Sequence, residues 1–331
     1  MSRFLVTRLA GAVGVLFALM SIVFVLQSIV PGDPVRARVG PNASPEVVAR
    51  ERHRLGLDRP LAAQYLRYVK DAVTGSLGES VRTGRPVLSD IGSFLPQTAV
   101  LALAAMLVAV AGGLALGVLG ATASRGAGAV RLLFVAGASA PGFMLALALI
   151  YLFYLKLGWL PASGSSGIDS APTGPTGVPL LDGIFHTRLD VLKDALQHLV
   201  LPAVSLALLP AVAIGRVLRS SLLEVYASDY IRTAHAKGIR PRAILWRHAL
   251  RNALSAPLTM TGLQLGLLLG GVVVVETVFA WPGIGLYTDQ SIHAGDLTAI
   301  AGVTLVVGAG YVFVNVLVDL AQALADPRIR L

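Results

Sequence analysis

The stretch SLLEVYASDYIRTAHAKGIRPRAILWRHALRNALSAP, residues 221–257, is a polar and basic block between two long apolar segments. Its first half predicts a short amphipathic helix, because apolar residues recur at i, i+3, i+4 and i+7: Ala227, Tyr230, Ile231 and Ala234. Gly238 is well placed to end that helix, since glycine adopts a positive φ at little steric cost. We call residues 221–257 the basic block.

A second helix is predicted directly after this turn. Pro241 can occupy its first position, where the missing N–H of proline does no harm. One side of this helix is apolar and lies opposite Arg247, His248 and Arg251: Leu245, Trp246, Ala249, Leu250 and Ala253. The basic block is therefore predicted to fold as a helix, a tight turn and a helix.

Within the basic block, the run DYIRTAHAKGIRPRAILWRHALRN resembles the "EAA" loop of ABC importer membrane subunits, in the form typical of dipeptide and oligopeptide permeases. In that family the loop faces the cytoplasm and inserts a short coupling helix into a cleft of the ATPase subunit. The sequence departs from the general pattern at Arg232, where glutamate is usual, and at His235, where arginine is more common. The resemblance implies ATPase coupling by eight residues: Asp229, Tyr230, Arg232, Thr233, Ala234, Lys237, Gly238 and Ile239.

The charges of the basic block also allow a plainer interpretation. Asp229, Arg232 and Lys237 could form a solvated basic face, as most runs of charge do. The resemblance favours docking to an ATPase subunit instead. We then expect apolar contacts of Tyr230, Ala234 and Ile239 to carry the force, and the charges to set orientation.

The composition places the chain in a bilayer. Its 331 residues are 55% hydrophobic and only 14% charged, which is too apolar for a soluble protein of this length. The net charge of +9 does not indicate nucleic-acid binding, because the basic residues cluster between apolar runs, as in the inward loops of membrane proteins. With no cysteine, the chain has no disulfide, thiolate metal site or cysteine nucleophile.

Six apolar runs are long enough to cross a bilayer core, which takes roughly 20 residues. They are Leu9–Val30, Thr98–Thr122, Leu132–Leu155, His198–Leu218, Leu258–Ala280 and Leu297–Leu324. The first run could be a cleaved signal peptide, but it lacks a small-residue cleavage pattern and is better explained as a retained helix. A kink is expected in the third run at Pro141 and Gly142. The predicted fold class is an all-α integral membrane protein with six transmembrane helices.

The polar segments divide the chain into three parts. Residues 1–30 form a cytoplasmic N-terminus and the first transmembrane helix, and residues 31–92 form an extracytoplasmic insertion. Residues 93–331 form a five-helix permease core that contains the basic block as a cytoplasmic loop. Loop charges favour this topology, since residues 221–252 carry six Lys/Arg and two acids, whereas residues 281–296, predicted as an external turn, carry no Lys/Arg and two acids. Both termini are therefore predicted to be cytoplasmic.

The sequence offers no motif for catalysis. No GxxxxGK[ST] phosphate-binding loop and no GxSxG serine elbow occur, and the six histidines lack metal-ligand spacing. We therefore expect no cofactor, metal or enzymatic activity in this chain, with ATP and magnesium bound by partner ATPase subunits. A proton-driven secondary transporter or a channel would need acidic or histidine relays at mid-membrane, which the apolar runs lack. A structural scaffold would not need a hinged cytoplasmic loop.

The resemblance covers nearly the whole chain and implies a subunit of a bacterial importer in the cytoplasmic membrane. Its implied partners are a second related permease, two ATPase subunits or domains, an extracytoplasmic substrate-binding protein, membrane lipid and a dipeptide or oligopeptide substrate. Nickel and glutathione remain alternative substrates, because close families carry them. Nucleic acid is not among the expected partners.

Two further features of the apolar runs leave alternatives open. Glu276 lies near the outer end of the fifth run, where it could line the pore or a gate, or pair at the surface. Gly262, Gly266 and Gly270 have the spacing of a close helix contact, although such spacing also arises by chance.

Overall fold

The computed structural model describes residues 2–29, 34–40, 42–122, 128, 141–168 and 176–325, and the regular elements of these ranges are helices. In chain order they are α1 (Ser2–Ile29), α2 (Pro34–Val39), α3 (Pro45–Leu55), α4 (Leu61–Val73), α5 (Val87–Thr122), α6 (Gly142–Leu149), α7 (Pro179–Phe185), α8 (Leu189–Tyr226), α9 (Asp229–Ala236), α10 (Pro241–Ala243), α11 (Leu250–Ala253), α12 (Ser255–Val278), α13 (Ile284–His293) and α14 (Leu297–Ala325). Two π-helical turns, Ile150–Lys156 and Ile244–Ala249, follow α6 and α10 without a break.

Five of these helices are long and apolar enough to cross a membrane: α1, α5, α8, α12 and α14. They confirm five of the six predicted spans, and the all-α membrane fold is thereby confirmed. Of the remaining predicted span, residues 132–140 lie outside the described residues, and the described part is the shorter apolar helix Gly142–Lys156. At the predicted kink, Pro141 is extended and α6 begins at Gly142, so the described backbone shows a helix start there.

Several helices are longer than the apolar runs that predicted them. α8 has 38 residues, about 57 Å of helix, whereas a bilayer core is about 30 Å thick. The hydropathy of the sequence identifies only the apolar part of α8, whereas the polar residues on either side continue the same helix. Residues 221–226 of the basic block therefore belong to α8, and Ala227 caps it. The prediction that Ala227 lies on the short amphipathic helix is wrong.

The described residues form two compact units. One unit comprises residues of 1–95 and 283–316, and its core contains Val87, Ile91, Ile284, Tyr287, Ala299 and Val303. In it, the ring of Tyr65 on α4 packs edge-on against Phe17 and Phe24 of α1. The segment after Trp281, predicted as a turn, contains α13, because Ile284 and Tyr287 become buried once they lie one helical turn apart.

The other unit comprises residues of 96–282 and 317–330, and α5, α6, α8 and α12 share its largest core cluster. Gly113 and Gly117 of α5 allow a close approach to α8. A Cβ atom at Gly117 would lie 2.7 Å from Cβ of Leu218, and one at Gly113 would lie 2.8 Å from Cβ of Ile214. These two glycines thus form a GxxxG contact that the sequence analysis did not single out.

Candidate functional site

The short helix of the basic block, α9, ends in the glycine turn that the sequence predicts. Gly238 has φ +74°, its N–H donates to the His235 carbonyl at 2.9 Å, and the N–H of Ile239 donates to the Ala234 carbonyl at 3.2 Å. This pair of bonds is a Schellman motif, which satisfies the last carbonyls of a helix. The helix, tight turn and helix of the basic block are confirmed.

The side chains of α9 divide into a buried and an exposed set. Ile231 is 1% exposed and Ala234 is 7% exposed, and half-buried Ile239 packs with them. They join a cluster within the chain that also holds Leu218, Leu222, Ile244, Ala249 and Ala253. The other predicted coupling residues are exposed: Asp229, Tyr230, Arg232, Thr233, Lys237 and Gly238. The exposed set is therefore the part of α9 that a partner could touch.

The polar contacts described on the exposed side of α9 stay within the basic block. The hydroxyl of Tyr230 accepts a hydrogen bond from Nδ2 of Asn252 at 3.0 Å, which ties α9 to the region after the π-turn. Arg232 and Asp229 approach to 3.3 Å, but their side chains are 77% and 92% exposed. An ion pair so open to solvent adds little stability. The charges of α9 thus remain available to an incoming surface.

A π-turn changes which side of the second helical segment is buried. Ile244 and Ala249 are five residues apart, and both are fully buried. A π-turn, with its i→i+5 hydrogen bonds, brings residues at that spacing towards the same side. Trp246 is consequently 64% exposed, although α-helical spacing places it on one side with buried Ala249 and Ala253. The five-residue spacing of Ile244 and Ala249 was the signal that α-helical periodicity missed, and the next buried residue, Ala253, follows after four.

α8 connects the basic block to the core of the same unit. Its Leu218 and Leu222 are fully buried in the α9 cluster, while Leu206, Ala211 and Ile214 belong to the larger core cluster. Nε of Arg219 also donates to the Gly120 carbonyl of α5 at 3.0 Å. Displacement of α9 would therefore act on one continuous helix that reaches the middle of the unit.

Glu276 lies in a buried polar contact near the end of α12. Its side chain is fully buried, and its Oε1 accepts a hydrogen bond from the Thr98 hydroxyl of α5 at 2.7 Å. Next to Thr98, the backbone carbonyl of Gln97 accepts from the indole Nε1 of Trp281 at 3.1 Å. In this structure Glu276 thus joins α5 to α12 and does not reach the surface. Thr98 carried no sequence signal, since it begins an apolar run.

Two further buried carboxylates lie in the other unit. Asp296 accepts hydrogen bonds from the Ser80 hydroxyl at 2.6 Å, the Arg82 N–H at 3.1 Å and the Ala299 N–H at 3.0 Å. Asp90 accepts from the Tyr287 hydroxyl at 3.2 Å, and burial raises the pKa of Tyr287 to about 12, so this hydroxyl stays protonated and can donate. These bonds fix the loop before α5. Only the folded chain brings residues so distant in sequence together.

Comparisons with known proteins cover the whole chain. Residues 113–331 match the family described as "Binding-protein-dependent transport system inner membrane component", and residues 1–103 match its N-terminal family. The chain is 44% identical over 326 residues to the "Probable D,D-dipeptide transport system permease protein DdpB" of Escherichia coli K12, covering 97% of this chain and 96% of that protein. It is 41% identical to the "Di/tripeptide transport system permease protein DppB" of Pseudomonas aeruginosa, covering 100% and 99%.

Two further similarities bear on the substrate and on the fold. The "Glutathione transport system permease protein GsiC" of Escherichia coli K12 is 35% identical over 333 residues, covering 100% of this chain and 99% of that protein. Among solved structures, a chain of the MetNI methionine ABC transporter in an inward-facing conformation superimposes with a TM-score of 0.51 at 17% sequence identity. That match covers 72% of this chain and 96% of the other, and it supports the helical fold.

Proposed function

The chain belongs to the family of binding-protein-dependent transport system inner membrane components, and from that membership we propose that it is the pore-forming permease subunit of an ATP-driven ABC importer for dipeptides or oligopeptides. The observation that carries this proposal is the full-length identity of 41–44% to permeases named for dipeptide and di/tripeptide transport. The multi-pass helical fold agrees with a subunit of the cytoplasmic membrane.

We propose that α9 receives the force of ATP hydrolysis from a partner ATPase subunit. Its exposed residues, among them Tyr230, Thr233 and Lys237, would contact the ATPase, while buried Ile231 and Ala234 hold α9 against α8. Because α8 is continuous into the core, a push on α9 would shift the helices there between inward and outward openings. ATP and magnesium would bind the partner, and this chain would be non-catalytic.

The proposed topology places both termini and the basic block in the cytoplasm. Loop charges support this topology, since residues 221–252 carry six Lys/Arg and two acids, whereas residues 281–296 carry no Lys/Arg and two acids. An importer of this kind would comprise a second related permease, two ATPase subunits or domains and an extracytoplasmic substrate-binding protein. The family name supports the binding protein as a partner.

Glutathione is a second candidate substrate, because a glutathione permease is 35% identical over the full length. Glutathione is itself a tripeptide, so both candidates have the same chemical class.

A peptide panel tests the proposed function. The complete transporter, with its ATPase subunits and binding protein, is reconstituted in proteoliposomes and supplied with labelled di-, tri- and pentapeptides and with glutathione. We expect ATP-dependent uptake of at least one class of peptide, and competition for uptake between peptides of that class. Uptake of none of these compounds, with ATP hydrolysis intact, would contradict the peptide assignment.

A further inference from the structure

The second helical segment of the basic block, residues 241–253, presents a basic and aromatic face to its surroundings. Arg242, Trp246, Arg247 and Arg251 are exposed, and the indole of Trp246 is 64% exposed. The π-turn brings residues five apart towards the same side, and Arg242 and Arg247 have this spacing, as do Trp246 and Arg251. We call these four residues the basic aromatic surface.

The basic aromatic surface lies opposite the side that packs inside the chain. Ile244, Ala249 and Ala253 are buried in the cluster shared with α8 and α9. Residues 241–253 contain no acidic side chain, and in the described parts of the chain no carboxylate forms an ion pair with Arg242, Arg247 or Arg251. The three positive charges are therefore not neutralised by the described part of the chain.

The position of this surface relative to the membrane follows from chain connectivity. α11 ends at Ala253, and α12, which can cross a membrane, begins at Ser255. Trp246 is nine residues before Ser255, so at the helical rise it lies within about 14 Å of the start of that span. Leu258 and Leu263 of α12 are more than half exposed, as expected of side chains that face lipid. This distance places Trp246 within reach of the headgroup layer.

We propose that the basic aromatic surface binds the headgroups of anionic phospholipids in the leaflet that adjoins the basic block. Tryptophan is enriched at the depth of headgroups, and arginine can bind a phosphate through two parallel hydrogen bonds. Basic side chains near a bilayer are attracted by anionic lipids, with an effect of about fivefold for each charge. The surface consists of other residues than the exposed side of α9, which is the proposed ATPase contact, and the two adjoin where Asn252 donates to Tyr230.

The lipid contact gives the basic block a second point of support. The residues beneath the surface, Ile244 and Ala249, belong to the cluster that also holds Ile231 of α9. With residues 241–253 held at the headgroups, a displacement of α9 would move α8 relative to that fixed segment. Coupling between ATP hydrolysis and uptake should therefore depend on the fraction of anionic lipid.

Fluorescence quenching of Trp246 tests the proposal. The chain has three tryptophans, of which Trp281 is 2% exposed, so in a Trp159→Phe background the difference between Trp246 and Trp246→Phe isolates the signal of Trp246 from that of the partner subunits. The complete transporter is placed in phosphatidylcholine nanodiscs that contain the same small fraction of either brominated phosphatidylglycerol or brominated phosphatidylcholine. We expect stronger quenching by the brominated phosphatidylglycerol, and a decline of that preference as salt is raised.

Substitutions separate charge from structure in the same assay. R242Q/R247Q/R251Q should bring the two quenching efficiencies to equality, whereas R242K/R247K/R251K should keep most of the preference. A matched control, R50Q/R59Q/K70Q, removes three exposed charges in α3, in α4 and between them, away from both proposed contacts, and should leave it unchanged. Thermal unfolding checks that each variant is folded. In the protein with its arginines unsubstituted, the salt dependence of the quenching preference tests their role without any variant.

Three outcomes would overturn the proposal. Equal quenching by the two brominated lipids would show no preference for anionic headgroups. A preference that survives both high salt and the glutamine triple variant would show that the arginines do not bind them. Quenching that occurs only in the chain freed of ATPase subunits would show that the ATPase covers this surface in the assembled transporter.

Discussion

Gly238 sets the direction of the chain after α9 through its backbone conformation. Its φ of +74° lies in the left-handed region, and a Cβ atom there would meet no atom within 4 Å. Glycine is therefore needed at position 238 for its backbone conformation and not for lack of space. A non-glycine residue in this region costs roughly 1–2 kcal/mol, more for a β-branched side chain and less for asparagine.

We predict that Gly238→Val uncouples the transporter while leaving it inserted in the membrane. The strained turn should reduce the number of peptides taken up per ATP hydrolysed, because α9 is no longer held in one orientation. Simultaneous assays of uptake and ATP hydrolysis in proteoliposomes measure this ratio. Gly238→Asn is the matched variant and should lie much closer to the parent protein. A valine variant with the parent ratio would count against the role of this turn.

The contact between Thr98 and Glu276 provides a second prediction at the residue scale. Thr98→Val keeps the shape of the side chain but removes the donor that bonds to buried Glu276 at 2.7 Å. Loss of a donor to a buried carboxylate should lower the free energy of unfolding by about 1–3 kcal/mol. Thermal unfolding in detergent measures the effect. Thr98→Ser keeps the hydroxyl and should lower the free energy of unfolding by less. Equal decreases in both variants would show that the hydrogen bond is unimportant.

The helix pair α5 and α8 depends on two glycines at its contact. A methyl group at Gly117 would lie 2.7 Å from Cβ of Leu218, whereas Gly270 of α12 has nothing within 4 Å. We predict that Gly117→Ala lowers the free energy of unfolding by about 1–3 kcal/mol, since the packed helices must move apart. Gly270→Ala should be neutral or raise it by up to about 1 kcal/mol through helix propensity. Thermal unfolding of the two variants side by side measures both signs, and a loss at Gly270 as large as at Gly117 would contradict the packing argument.

The elements most readily predicted from sequence were those with a strong local signal. Five spans follow from their apolar runs, and the α9 turn follows from Gly238 and Pro241. Helix α13 was missed because its polar residues and the preceding WPGIG look like a turn, and only burial of Ile284 and Tyr287 in the folded unit explains it. Exposure of Trp246 depends on a π-turn, for which α-helical periodicity gives the wrong face.

The candidate site was predictable only in part, for a similar reason. The exposed residues of α9 were found through a contiguous motif. Thr98 and Glu276 are 178 positions apart, and Asp90 and Tyr287 are 197 apart. Such pairs leave no periodic pattern in a single sequence. The glycine contact behaves similarly, because Gly262, Gly266 and Gly270 have the same spacing as Gly113 and Gly117, yet a Cβ atom at Gly270 would meet nothing within 4 Å.

At the scale of the whole molecule, the proposed topology is open to a simple labelling test. The chain has no cysteine, so single cysteines can be introduced into an unmodified background. We predict that Lys237→Cys, in the basic block, reacts with a membrane-impermeant maleimide only after the cells are opened. Arg59→Cys, an exposed position between α3 and α4, should react in intact cells. Labelling of position 237 from outside would reverse the proposed orientation.

The source of energy is a property of the whole assembly, and we propose that this chain moves peptides only when a partner's ATP hydrolysis acts on α9. The most direct test measures accumulation of a labelled peptide in proteoliposomes that contain either this chain alone or the complete transporter, with ATP supplied on the side of the basic block. We expect accumulation against a gradient only for the complete transporter, and only with hydrolysable ATP. Accumulation by the isolated chain, whether unaided or driven by a proton gradient, would contradict it.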